Sequence, residues 1–262
     1  EYILFCREFD AKKALWEGAH SGLEGATSHY DADDAFPIDD LDDILPGLLE
    51  NKTKVFYPMG SNLELDHNLL EWINHIRNQS RSGIIAPGEL VSIALILHEM
   101  RLFKSTEELK LMRRAAEISA LAHIKAMKSC KPGLYEYQIE AEIIHHFIDN
   151  GLRSVAYPSI IAGGKNACTL HYTENNSKLK NGDLLLIDAG AECDHYAADI
   201  TRTFPISGRF NEAQKQLYQL VLDAQTAALE QIKPGLPWNS AHDASVEVLT
   251  QGLLDLGLLK GK

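Results

Sequence analysis

Over the first part of the chain, short apolar runs alternate with stretches of helical period. Tyr2-Ile3-Leu4-Phe5-Cys6 and Val55-Phe56-Tyr57-Pro58 read as strands. Between 63 and 77, Leu65, Leu69, Trp72, Ile73 and Ile76 share one helix face. Pro87-Gly88 marks a turn before the apolar run 90–97. The pattern predicts a mixed α/β domain over 1–97. It opens abruptly on a strand, as a chain lacking its natural start would.

A second unit, 98–262, follows. Ser105-Thr106-Glu107-Glu108 has the form of a capping box and opens a helix expected to run to about Lys128. Lys131-Pro132-Gly133 stops it, and another helix spans about 135–150, ended by Gly151. Strand signals come next, at 155–162, 169–173, 183–192 and 195–204. Helix returns over 211–231, breaks at Lys233-Pro234-Gly235 and resumes over 239–256.

That order contains a repeat. Lys131-Pro132-Gly133-Leu134 and Lys233-Pro234-Gly235-Leu236 are the same four residues, 102 positions apart. Each follows a long helix and precedes another that ends in Gly-Leu, first Gly151-Leu152 and then Gly257-Leu258. The reading is a duplicated helix–helix–strands unit whose second copy stops after its helices. Positions 102 beyond Asp188 and Asp199 would fall past residue 262, so the second copy's contribution there is expected to be missing.

Candidate chemistry concentrates in one hairpin. Leu184-Leu185-Leu186-Ile187 runs into Asp188-Ala189-Gly190, and the chain returns through Tyr196-Ala197-Ala198-Asp199-Ile200-Thr201. A two-residue loop centred on Cys193-Asp194 would set Asp188 directly across from Asp199, with Cβ atoms about 4.5–5.5 Å apart. Two carboxylates aimed at one point repel unless a shared proton or a divalent cation lies between them. Two metals about 3.5–4 Å apart make a hydrolytic centre, and all-oxygen ligation favours manganese over zinc.

Composition sets the remaining bounds. With 262 residues and 45% apolar content, the chain can bury the core of one large domain or two unequal ones. No apolar run is long enough to span a membrane, and no secretory leader opens the chain. Four widely spaced cysteines (Cys6, Cys130, Cys168, Cys193) suit a reducing, cytoplasmic compartment. Of the net charge of −12, residues 1–50 carry −10, peaking around Asp31, Asp33, Asp34, Asp39, Asp40, Asp42 and Asp43. This reads as a solvated acidic loop, or more sharply as a surface that meets a basic partner or sister subunit. With no basic stripe, nucleic acid is not expected as a ligand.

Two further segments complete the pattern: Leu170-His171-Tyr172-Thr173-Glu174-Asn175 and His98-Glu99-Met100-Arg101-Leu102-Phe103-Lys104-Ser105. With Asp188-Ala189-Gly190-Ala191-Glu192 and Tyr196-Ala197-Ala198-Asp199-Ile200-Thr201-Arg202-Thr203-Phe204-Pro205, they resemble, in order and spacing, the aminopeptidase P group. That group lies within the creatinase/prolidase/methionine-aminopeptidase pita-bread family. The resemblance is close over about 95–260 and looser over 1–94.

It implies an α+β chain: a partial creatinase-like amino-terminal α/β domain, then a truncated pita-bread catalytic domain. The implied activity is release of the amino-terminal residue from peptides with proline second, by hydroxide attack at a pair of divalent metal ions. Asp188 would ligate one metal and Asp199 bridge both. His171 would stand beside the substrate near the scissile bond, and Tyr157 would line the pocket. The family's remaining metal ligands, one histidine and two glutamates, come from segments outside this sequence. The fragment alone is therefore expected to be inactive, and the full-length protein to be a homo-oligomer. Prolidase is the near alternative; a non-catalytic peptide-binding pita-bread module is the distant one.

Other features carry less. Glu142 with His145-His146 reads as surface or packing, since one such helix cannot build a di-iron bundle. Gly163-Gly164-Lys165 lacks phosphate-loop spacing and reads as a tight turn, and Trp16 and Trp72 read as core or interface packing rather than ligand contacts.

Overall fold

Two units, Glu1–Lys104 and Ser105–Lys262, divide the computed structural model, which describes residues 1–260. In the first, β1 (Ile3–Cys6) pairs in parallel with β2 (Asp34–Pro37), and β3 (Lys54–Tyr57) with β4 (Glu89–Ser92). Parallel pairs need crossovers, supplied by α1 (Ala11–Glu17) and α2 (Gly22–His29) for the first pair. After α3 (Leu41–Leu49), α4 (Leu63–Asn78) makes the second crossover. Asn62 caps α4 by accepting from the Glu64 and Leu65 N–H groups at 2.9 and 3.1 Å. Leu69, Trp72, Ile73 and Ile76 are its buried face.

Trp72 packs as expected, its Nε1–H donating to Asp42 at 3.1 Å. Trp16 does not. It is 90% exposed, because α1 buries no residue at all. The apolar run 90–97 splits between β4 and α5 (Ala94–Leu102), which carries the first unit past the expected division at 97.

The second unit opens on α6 (Thr106–Ser129), where the capping box forms as read. Ser105 Oγ accepts from the Glu108 N–H at 3.2 Å and Glu108 Oε2 from the Ser105 N–H at 2.5 Å. After α7 (Glu136–Asp149) come β5 (Ser154–Val155), β6 (Ile160–Gly163), β7 (Leu184–Asp188), β8 (Ala191–Cys193), β9 (Tyr196–Ala197) and β10 (Thr201–Pro205). They form two antiparallel sheets, ordered β10-β7-β6 and β5-β8-β9. The segment 169–173, expected as a strand, is loop; its position comes from side-chain bonds taken up below.

The core lies between this sheet and the first helix pair. Ile161, Leu185 and Ile187 are fully buried and cluster with Ile118 and Ala122 of α6 and with Ile139, Ile143 and Phe147 of α7. Each fully buried aliphatic side chain contributes about 1.5–3 kcal/mol. Along β7 burial alternates: Leu185 and Ile187 face this core, while Leu184, Leu186 and Asp188 are only half covered.

The last pair, α8 (Glu212–Glu230) and α9 (Ser240–Asp255), packs on itself. Its one buried residue is Ala224, and Val221, Leu229 and Ile232 stand exposed. Of two helix pairs joined by the same tetrapeptide, one covers a sheet and the other presents an open apolar face.

Candidate metal-binding site

The hairpin turns on Asp194-His195, whose φ values are 45° and 70°. A two-residue turn with both central residues left-handed matches the twist of the strands it joins. From it the ladder runs Cys193 to Tyr196, Glu192 to Ala197 and Asp188 to Thr201. Asp188 is therefore not opposite Asp199, as a turn centred one residue earlier required. Moving the centre by one residue shifts every partner by two. Because side chains alternate with period two, such a shift preserves the face.

Both carboxylates accordingly turn to one side, where a tyrosine meets them. The Tyr157 hydroxyl lies 2.5 Å from Asp188 Oδ1 and 3.1 Å from Asp199 Oδ1. Asp188 ends the central strand β7, flanked by Ile160 and Thr201, and is half buried; Asp199 is exposed. Burial, then the hydrogen bond to Asp188, then the charges of both aspartates, hold the Tyr157 phenol far above its ordinary range, so it stays protonated and donates.

Two backbone details fix the hairpin. The Ala191 N–H donates to Ser119 Oγ at 2.9 Å, pinning β8 to α6. Gly190 lets the strands close: a Cβ there would lie 1.7 Å from the Ala198 carbonyl oxygen.

The donor set is all carboxylate oxygen, on the half-covered side of β7, converging on one hydroxyl. It fits a hard divalent cation, but two carboxylates fall short of the ligand number such ions take. Among the described residues no group of three or more His, Cys, Asp or Glu side chains could hold a metal.

His171 stands on an exposed turn after the 3-10 segment Gly164–Cys168, and makes no hydrogen bond or ion pair with either aspartate. Gly164, at φ 56°, makes the tight turn expected there. His145 and Glu142 both lie near Lys125 on the surface of the helix pair, at 3.3 and 3.8 Å, away from any metal grouping.

The Tyr157 bridge has a consequence for stability. Tyr157→Phe removes the single donor between two like charges, and is expected to cost the metal-free protein roughly 1–2 kcal/mol. Differential scanning calorimetry with and without divalent cation checks this. Equal melting of variant and wild type without metal would exclude the bridge.

Residues 110–260 match Metallopeptidase family M24, and residues 1–57 match the Aminopeptidase P, N-terminal domain. The chain is 41% identical over 259 residues to an Xaa-Pro aminopeptidase of Haemophilus influenzae, covering 99% of this chain and 58% of that protein. To the Xaa-Pro aminopeptidase of Escherichia coli it is 39% identical, covering 99% and 59%. The solved structure of aminopeptidase PepP from Pseudomonas aeruginosa superposes with a TM-score of 0.96 at 54% identity, covering 100% of this chain and 59% of that one. A zinc-substituted Escherichia coli aminopeptidase P in complex with product superposes at 0.94 with 38% identity, covering 99% and 59%. The chain thus spans about three fifths of the length of these relatives.

Proposed function

This chain belongs to metallopeptidase family M24, and we propose that it forms the carboxylate half of the metal centre of an Xaa-Pro aminopeptidase. The substrate would be a peptide with proline second, from which the amino-terminal residue is released. The observation that carries the reading is the convergence of Asp188 and Asp199 on one hydroxyl, on the half-covered side of β7.

Asp188 and Asp199 would hold two divalent ions, which all-oxygen donors suit to manganese, with Asp199 shared between them. When bound, the metals would lower the pKa of a water and polarise the scissile carbonyl. Tyr157 would then give up one carboxylate to metal and keep its hydroxyl directed at the site. His171, on its exposed turn, would stand beside the scissile bond and stabilise charge or pass a proton there.

The remaining ligands would come from the segment that the longer relatives carry, folded against the open face of α8 and α9. No helix among the described residues is long and apolar enough to cross a membrane, and all four cysteines are free. Cytoplasmic residence and homo-oligomeric assembly belong to the same proposal.

The test is a comparison of this 262-residue chain with a version extended by that segment, on an Xaa-Pro peptide with added manganese. The extended protein is expected to turn over substrate and to lose activity on chelation; the shorter chain is expected to show no useful turnover. Equal rates from the two would sink the half-site reading.

A further inference from the structure

Among the described residues of the second unit, one charged side chain is fully buried and has no part in the proposed metal site. Glu136, the first residue of α7, is 0% exposed. Its Oε1 accepts from the Gly163 N–H at 2.7 Å and from Asn166 Nδ2 at 3.0 Å. Its Oε2 accepts from the Tyr172 hydroxyl and the Ser177 N–H, both at 2.8 Å. None of the salt bridges among the described residues includes it. A buried carboxylate without a cation is costly unless its lone pairs are filled, and here four donors and the amino-terminal end of α7 supply the compensation.

All four donors belong to 163–177, the segment in which His171 stands. The segment beyond the 3-10 turn forms no strand, so these bonds place it. A second clamp lies beside the first. Asn175, 2% exposed and at φ 45°, accepts from the Ile161 N–H at 2.9 Å and donates to the Ser159 carbonyl at 2.8 Å. Between the clamps His171 itself is exposed, and its neighbour Tyr172 reaches back to Glu136.

The turn between helices does not need this carboxylate. In the sister turn after Lys233-Pro234-Gly235-Leu236, the residue 102 positions on from Glu136 is Trp238, which is 96% exposed.

We propose that Glu136 is a positioning residue, which through Tyr172 fixes the loop carrying His171 and so sets where that imidazole meets the substrate. The proposal rests on the reading that His171 works beside the scissile bond.

The test uses the full-length, metal-loaded protein with Glu136→Gln and Tyr172→Phe, each alone and combined with His171→Ala. A glutamine turns its NH2 toward one pair of donors. The Tyr172 hydroxyl can accept as well as donate, so the bond certain to fail is that of a backbone N–H: Ser177 with the NH2 at the Oε2 position, Gly163 with it at Oε1. The phenylalanine removes one bond. Glu136→Gln is expected to lower kcat about tenfold and Tyr172→Phe about threefold, the scale of a small misplacement of a working group. Bound metal should stay at the wild-type level, and the Gly163 or the Ser177 amide, whichever loses its acceptor, should exchange faster with solvent in Glu136→Gln.

In the His171→Ala background neither substitution should cost anything more, since both act through the imidazole. The same fold-loss with and without His171 would make Glu136 a general prop of the fold and overturn the proposal. So would unchanged amide exchange in Glu136→Gln, or unchanged kcat in both variants while His171→Ala is impaired. If Glu136→Gln fails to fold, Tyr172→Phe carries the same cycle. A His171→Ala variant with full kcat would instead remove the reading on which the proposal stands.

Discussion

In the full-length protein, Asp188→Asn and Asp199→Asn are each expected to lower kcat by at least about a thousandfold, roughly 4 kcal/mol of transition-state stabilisation, with the fold unchanged. An amide matches a carboxylate in size and can still accept from Tyr157, which is why the hairpin should survive. It carries no negative charge, and it cannot bridge two cations through both ends. Asp199→Asn should be the more damaging, because in the proposed site it is the shared ligand and its loss would weaken both metals. His171→Ala should differ in kind, lowering turnover while metal content stays near normal. Metal analysis beside kinetics separates the three. Two bound metals and full rate in both aspartate variants would refute the assignment, and metal loss in His171→Ala would move that histidine into the ligand set.

The second large effect is expected from a residue with no chemistry of its own. Gly190→Ala should destabilise the protein by roughly 3 kcal/mol or more and strip it of metal together. Its φ is not among the left-handed glycines, so rotation is not what the site demands. The demand is space: the new methyl would sit 1.7 Å from the Ala198 carbonyl oxygen, and that atom belongs to backbone that no rotamer change can move. To admit it, the hairpin must open at the level where Asp188 and Asp199 approach each other. Denaturant unfolding read beside metal content checks the pair of effects. A variant with normal stability would show that the strands separate at little cost.

The helices were largely legible in the sequence because their ends are written in short-range chemistry. Ser105 with Glu108 and Asn211 with Gln214 both form capping boxes, which need no partner beyond four residues. The hairpin was half legible. Its face followed from alternation, but its register depended on a turn of Asp194 and His195, neither of them glycine, held left-handed against ordinary preference. The strand expected over 169–173 failed for another reason. Thr169, Tyr172 and Thr173 have strand composition, yet Leu170 is 88% exposed and Tyr172 is drawn to a carboxylate 36 positions earlier. Nothing local to Glu136 marks it as buried, since an acid in the first turn of a helix ordinarily faces water. The residue type of Trp16 says nothing of whether its helix has a partner.

The tight turn at Asp194-His195 also limits what a bound ion can do for the fold. Cross-linking a chain gains stability by the length of loop it closes, because that is the freedom removed from the unfolded ensemble. Asp188 and Asp199 enclose only ten residues, already folded back by the turn. An ion held by these two alone would tie together what the backbone has tied already. Any large rise in melting temperature on adding metal to the full-length protein therefore reports on ligands far along the chain from this hairpin.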